Sequence, residues 1–200
     1  NNLLYLLTSA SDGSYYLQAW NGEKWSEAEG QPLLSGFEDP ATLRRVLLGC
    51  HRFTVDPENN MISVGCGSNV DKLDIWLVER ALGEIEDWFP VEPVTWIDPI
   101  SLVASEDRLS EPLIFSGSEN LLHTFWLSSG EEGETVDNAK IYYTSWNGEE
   151  WSRQVPLIQL QTRHADQLSG IFDREAGLFL LWRDQETNTY YYSAVKSEDI

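Results

Sequence analysis

The sequence predicts an all-β protein, a β-propeller of four-stranded antiparallel blades, about four units long with the first and last incomplete. Three observations predict it. The segment Tyr15–Ser26 returns as Tyr142–Ser152, sharing Trp-Asn-Gly-Glu-x-Trp-Ser, and Trp25, Trp88 and Trp151 stand 63 residues apart. Each copy is preceded by short apolar runs of strand length, bounded by the Asp, Asn, Gly and Pro of tight reversals. No convincing helical periodicity separates the runs. One supersecondary unit recurring about every 60 residues describes propeller blades with long loops. A two-sheet sandwich would not require the same aromatic hairpin in each unit.

The chain reads as one domain, 1–200, with units at approximately 1–48, 49–110, 111–166 and 167–200. Within a unit the strands are A, B, C and D. In the first unit Leu3–Leu7 is B and Tyr15–Trp20 is C, turned by Asn21-Gly22. Asn-Gly is the strongest short hairpin signal, and Gly22 and Gly148 allow the positive φ a two-residue turn needs. In the second unit Arg52–Val55 is A, Met61–Val64 is B and Asp74–Val78 is C, followed by Asp87-Trp88-Phe89. In the third, Leu113–Ser116, Leu121–Leu127 and Tyr142–Trp146 lead through Asn147-Gly148 to Trp151. In the fourth, Leu168–Phe172, Gly177–Trp182 and Tyr190–Ser193 give A, B and C without a D strand. The expected total is fourteen strands. Trp25, Trp88 and Trp151 are expected to cover one blade against the next, and the incomplete units leave edges open to association.

Asp and Glu number 33 against 13 Lys and Arg, a net charge of -20. Such a surface repels phosphate backbones, which argues against nucleic acid as a partner. It suits solvation, cations or a basic partner. No run approaches the roughly 20 apolar residues of a membrane span. No leader is legible before Leu3, a start that leaves the compartment open. The only cysteines, Cys50 and Cys66, lie eight residues either side of Glu58. They would face each other across the A–B hairpin, either as a disulfide or as two buried thiols. A disulfide would indicate an oxidising compartment, and an extracellular or cell-surface location is the favoured reading.

The C–D hairpins resemble those of the sialidase-like propellers, the BNR or Asp-box repeats, whose signature is Ser-x-Asp-x-Gly-x-(Ser/Thr)-Trp. On the third unit it falls on Thr144, Trp146, Gly148, Glu150 and Trp151. On the first it falls on Gln18, Trp20, Gly22, Lys24 and Trp25. Gly and Trp match in both, and the signature Asp is replaced by Trp. Leu181-Trp182-Arg183-Asp184 followed by Tyr190-Tyr191-Tyr192-Ser193 also resembles the B-to-C passage of such blades. The resemblance implies a fold more than a chemistry. It also implies that ligands meet the face of the D-to-A and B-to-C loops.

Those D-to-A segments carry Arg44-Arg45, Arg108 and Arg163-His164. With Trp182 and Arg183 they form the candidate ligand face, since converging arginines can hold a carboxylate bidentately. The alternative is that they pair with the abundant acids nearby. A sialidase-type reaction needs a tyrosine nucleophile with a carboxylate partner and a separate acid. The tyrosines cluster in strand C, where packing explains them, so the sequence favours a non-catalytic module over an enzyme. The B-to-C loops are acidic at Asp12, Asp71, Glu131, Glu132, Glu134, Asp137, Asp184 and Glu186. Calcium uses such oxygens, but no ligand spacing is present. His51, His123 and His164 are scattered, giving zinc no cluster. The expected function is binding of a glycan or protein partner at the loop face. The alternatives are a portion of a sialidase-like glycoside hydrolase, or an assembly or sensor segment that completes its blades with another chain.

Overall fold

A computed structural model describes residues 4–9, 15–26, 51–58, 60–69, 72–81, 99–105, 108–117, 121–129, 138–173 and 175–196. Arg44, Arg45, Cys50, Trp88, Asp12, Asp71 and Glu131–Asp137 lie outside them. The described chain is all-β. Thirteen strands run in order: β1 (Leu4–Ser9), β2 (Tyr15–Trp20), β3 (His51–Val55), β4 (Asn60–Asn69), β5 (Lys72–Ala81), β6 (Ile100–Ser105), β7 (Arg108–Ser116), β8 (Leu122–Ser129), β9 (Lys140–Trp146), β10 (Val155–Gln159), β11 (Ala165–Asp173), β12 (Gly177–Asp184) and β13 (Thr189–Val195).

They form four antiparallel sheets in sequence order: β1-β2, β3-β4-β5-β6, β7-β8-β9-β10 and β11-β12-β13. Every hydrogen-bonded neighbour is a sequence neighbour, so each sheet is a meander. The first sheet has two strands among the described residues where three were expected. The strand completing the second sheet is β6 at Ile100–Ser105, beyond the position expected near Trp88.

Consecutive sheets pack through their first strands: β7 lies against β3 on one side and β11 on the other. The third sheet therefore has a rear face towards the second and a forward face towards the fourth, and the corresponding faces of the other sheets take the same names. Alternation along a strand sends neighbouring side chains to opposite faces. In β8, Leu122 and Trp126 point rearward while Phe125 and Leu127 point forward, so that the whole strand is buried. The rear side of the third sheet (Ile114, Leu122, Trp146, Trp151) packs on the forward side of the second (Ile62, Val64, Leu77). The forward side of the third (Leu113, Phe125, Leu127, Ile141, Tyr143) packs on the rear side of the fourth (Leu168, Leu178, Leu180, Trp182). Gln154 Nε2 donates to the Leu102 carbonyl at 2.8 Å and ties the second sheet to the third.

Two local devices shape the strands. Gly65 stands opposite Trp76, and a Cβ at 65 would lie 2.0 Å from the indole ring, so only glycine lets Trp76 lie flat over β4. The first strands of the third and fourth sheets bulge at equivalent points, Ser110/Leu113 and Asp166/Ser169. There Glu111 and Gln167 take φ of 51° and 52°, and β7 carries Pro112 at the bulge, where a proline removes no ladder bond. Cys66 is disulfide-bonded. The chain's one other cysteine is Cys50.

Candidate functional site

The site is built at the end of the fourth sheet where the β10–β11 connection meets the β12–β13 turn. The connection is fixed first. Ala139 N donates to the Thr162 carbonyl at 2.9 Å, and Gln185 N donates to the His164 carbonyl at 3.0 Å, so both loops are knit to the sheets. Thr162 Oγ1 donates to Asp184 Oδ1 at 3.1 Å. Asp184 Oδ1 also accepts from Glu186 N at 2.8 Å and Thr187 N at 3.3 Å, an Asx-turn that closes the loop. Burial pushes its carboxyl up, but the loop amides and the Thr187 and Thr162 hydroxyls outweigh it and hold it below the usual carboxylate range. Asp184 Oδ1 thereby braces the loop. Among the described residues no group of three or more His, Cys, Asp and Glu is arranged to hold a metal.

On this frame stands a row of polar side chains across three strands. Asp166 pairs in register with Arg183, and Arg183 with Tyr190. Arg183 grips Asp166 with two parallel bonds, Nε to Oδ1 at 2.8 Å and Nη2 to Oδ2 at 2.6 Å. The fork geometry suits a planar guanidinium. Gln185 Nε2 adds a third donor to Asp166 Oδ2 at 3.0 Å, and Arg183 Nη1 reaches Asn188 Oδ1 at 3.4 Å. These bonds, the Arg183 one above all, hold the Asp166 carboxyl below its ordinary value, and Arg108 on the neighbouring sheet lowers it further. Arg183 is correspondingly raised by its bond to Asp166. At the bulge, the Tyr190 hydroxyl donates to Gln167 Oε1 at 2.6 Å. Tyr190 is exposed beside the row, and Tyr192, two residues on, is 82% exposed.

The sequence-derived candidates divide. Arg108 opens β7, a strand residue rather than a loop residue, because the bulge at Glu111 lets the strand run back past it. It lies close enough to Asp166 to act on its charge. Arg183 belongs to the row, but its guanidinium is already occupied by Asp166. Arg163 is exposed and His164 half-buried on the β10–β11 connection. Trp182 is 8% exposed and belongs to the core between the third and fourth sheets, stacked 6.3 Å from Tyr191. Alternation places it rearward, away from the row. Asp166, Gln167, Gln185 and Asn188 are not among the sequence-derived candidates, and Tyr190 figures there only as part of strand C. Gln167 takes the bulge position that Glu111 takes in the third sheet, which composition does not mark, and Gln185 and Asn188 lie between β12 and β13.

The opposite end carries the aromatic hairpins, and they are near copies. Asn21 Oδ1 accepts from Glu23 N and Lys24 N at 2.9 and 3.0 Å, and Asn147 Oδ1 from Glu149 N and Glu150 N, both at 2.9 Å. Gly22 and Gly148 have φ of 99° and 97°. Trp20 pairs with Trp25, and Trp146 with Trp151, which makes the loop four residues long instead of two. The asparagine one position after the Trp in the Asp place of the signature caps the loop amides. Trp151 packs between the second and third sheets, whereas Trp25 rests on Trp20 and is 40% exposed.

No protein-family model matches the chain, and no curated protein matches it in sequence. Two solved structures share its fold. A protein of unknown function from Dyadobacter fermentans superposes with a TM-score of 0.57 at 9% identity, covering 98% of this chain and 57% of that one. An endo-arabinase from Bacteroides thetaiotaomicron superposes with a TM-score of 0.54 at 15% identity, covering 95% of this chain and 72% of that one. This chain thus spans little more than half the length of the first and about three quarters of the second. At these identities the likeness is one of fold.

Proposed function

We propose that the chain is a β-propeller segment of sialidase-like kind, its sheets arranged about an axis lined by β3, β7 and β11, and that it is a non-catalytic module binding an uncharged glycan at the β10–β11/β12–β13 end. The observation that carries this reading is the Asp166–Arg183–Gln185 network with exposed Tyr190 beside it. Its charges cancel internally, which disfavours a carboxylate ligand and leaves neutral donors and acceptors outermost. Planar amides and a half-solvated phenol ring match the hydroxyl edges and apolar faces of a sugar.

The local electrostatics favour binding over hydrolysis. A glycosidase pairs a carboxylate with an acid whose proton is held by a raised pKa. Here Asp166 is depressed by Arg183 and Asp184 is net depressed within its loop. Burial raises the Glu79 carboxyl, but that residue is on β5 of the second sheet, away from the row. The likeness to an endo-arabinase, a glycoside hydrolase, keeps hydrolysis as the competing reading.

Titration calorimetry with arabino-oligosaccharides and a panel of other neutral oligosaccharides tests both. Saturable binding that falls at least tenfold in Asp166→Ala and in Tyr190→Ala, with no release of reducing ends, is the expected result. Release of reducing ends would replace the module by the hydrolase. Absence of binding across the panel would remove the glycan reading.

A further inference from the structure

The sheets cover one another by a fixed rule, forward face to rear face, and the rule leaves two faces open. On the fourth sheet the forward face presents Ile171 at 70% exposure, with Phe179, Leu181, Tyr190 and Tyr192 also exposed. Register identifies these as the counterparts of a covered surface. Leu181 faces Ser169 as Phe125 faces Leu113, and Phe179 faces Ile171 as His123 faces Phe115. In the third sheet those positions are buried under the fourth. On the first sheet the rear face presents Leu4 and Leu6, both exposed, and exposed Trp25 against Trp20. Leu4 pairs with Trp20 as Leu122 pairs with Trp146, so this surface is the counterpart of the one the third sheet lays on the second.

We infer that the two open faces form an interaction surface for a second copy of this chain, which associates head to tail. The forward face of one copy's fourth sheet takes the rear face of the other copy's first sheet, repeating the internal contact between the second and third sheets. The occupant is a second copy because both halves of the contact are carried by this chain, in the chemistry that already pairs inside it: aliphatic and aromatic residues on one side, leucines and a tryptophan pair on the other. A contact joining unlike faces is heterologous, so two copies close only as a ring with two such contacts. The charge of -20 per copy opposes association, so added salt strengthens it by screening. Tyr190 belongs both to this face and to the proposed ligand row, so association competes with ligand binding there.

Sedimentation velocity and light scattering on the full chain, from about 1 to 100 μM at low and high salt, test it. A dimer is expected, more populated at high salt. Leu181→Glu/Tyr192→Glu on the forward face and Leu6→Glu on the rear face are each expected to give monomers, with unchanged circular dichroism because all three positions are exposed. An equimolar mixture of the two variants keeps one intact contact and is expected to recover a weaker dimer. A wild-type monomer throughout the range overturns the inference, as does a dimer that both variants leave intact.

Discussion

The forward faces of the third and fourth sheets occupy the same place in their units and have opposite fates. On the third sheet Phe125, Leu127, Ile141 and Tyr143 are buried beneath the fourth. On the fourth, Leu181, Arg183, Tyr190 and Tyr192 take corresponding positions and meet solvent. The pair Ser110–Leu127 of one becomes Asp166–Arg183 of the other. A covered position disfavours an ion pair, because a pair moved out of water loses more solvation than its attraction returns. At the margin of an open face a guanidinium can be held by a carboxylate and still touch water. The candidate binding row exists because its sheet has no described successor.

The widest expected separation is in packing. Phe125→Ala should destabilise the fold by about 3–5 kcal/mol, while Leu181→Ala at the matching open position should stay within about 0.5 kcal/mol. Urea unfolding at protein concentrations low enough to keep the chain monomeric measures both, and similar losses there would show that a segment of the same chain covers the fourth sheet's face. A smaller difference is expected from His123, which is buried on the covered face, shares a hydrogen bond of 2.9 Å with the Tyr143 hydroxyl and lies against Phe172. Burial lowers its pKa, so the unfolded chain takes up the proton first. Stability should be level above about pH 6.5 and fall below it, by at most about 1.4 kcal/mol per pH unit. His123→Phe should remove that slope, and a slope unchanged in the variant would place its origin elsewhere. The smallest effect belongs to the exposed row. The Asp166 carboxyl is depressed by Arg183, so its contribution is present above about pH 4 and lost as pH falls through its lowered value. Asp166→Asn should slightly flatten acid unfolding between about pH 4 and 2 and leave neutral stability nearly unchanged. A large loss at neutral pH would mean that the pair is structural.

Much of the strand pattern was legible, and the reasons are local. Alternating apolar residues and turn chemistry placed β4, β5, β8, β9, β12 and β13 near their observed positions, and Asn147-Gly148 marked the hairpin. The turn length was misjudged because Asn21 and Asn147 cap two amides each and stretch the loop to four residues. The described strand that pairs with β5 beyond the C strand is β6 at Ile100–Ser105, while the position expected near Trp88 lies outside the described residues. Trp182, expected at the end of strand B as a ligand residue, is turned into the core by alternation. Asp166 and Gln167 were passed over because a bulge at a non-glycine residue with positive φ has no compositional mark.

By itself the sequence determined the antiparallel meanders, the repeated aromatic hairpin and the strong negative charge. These rest on interactions between residues close along the chain, where side-chain period and turn chemistry suffice. Only the tertiary structure decided which of two Trp-Asn-Gly-Glu-x-Trp-Ser hairpins packs its second tryptophan between sheets, and which apolar face stays open. It also decided that Arg183 closes on Asp166 instead of awaiting a ligand. A strand's alternation tells which residues share a face. Whether another sheet arrives to cover that face depends on contacts between distant segments, and no local pattern carries that information.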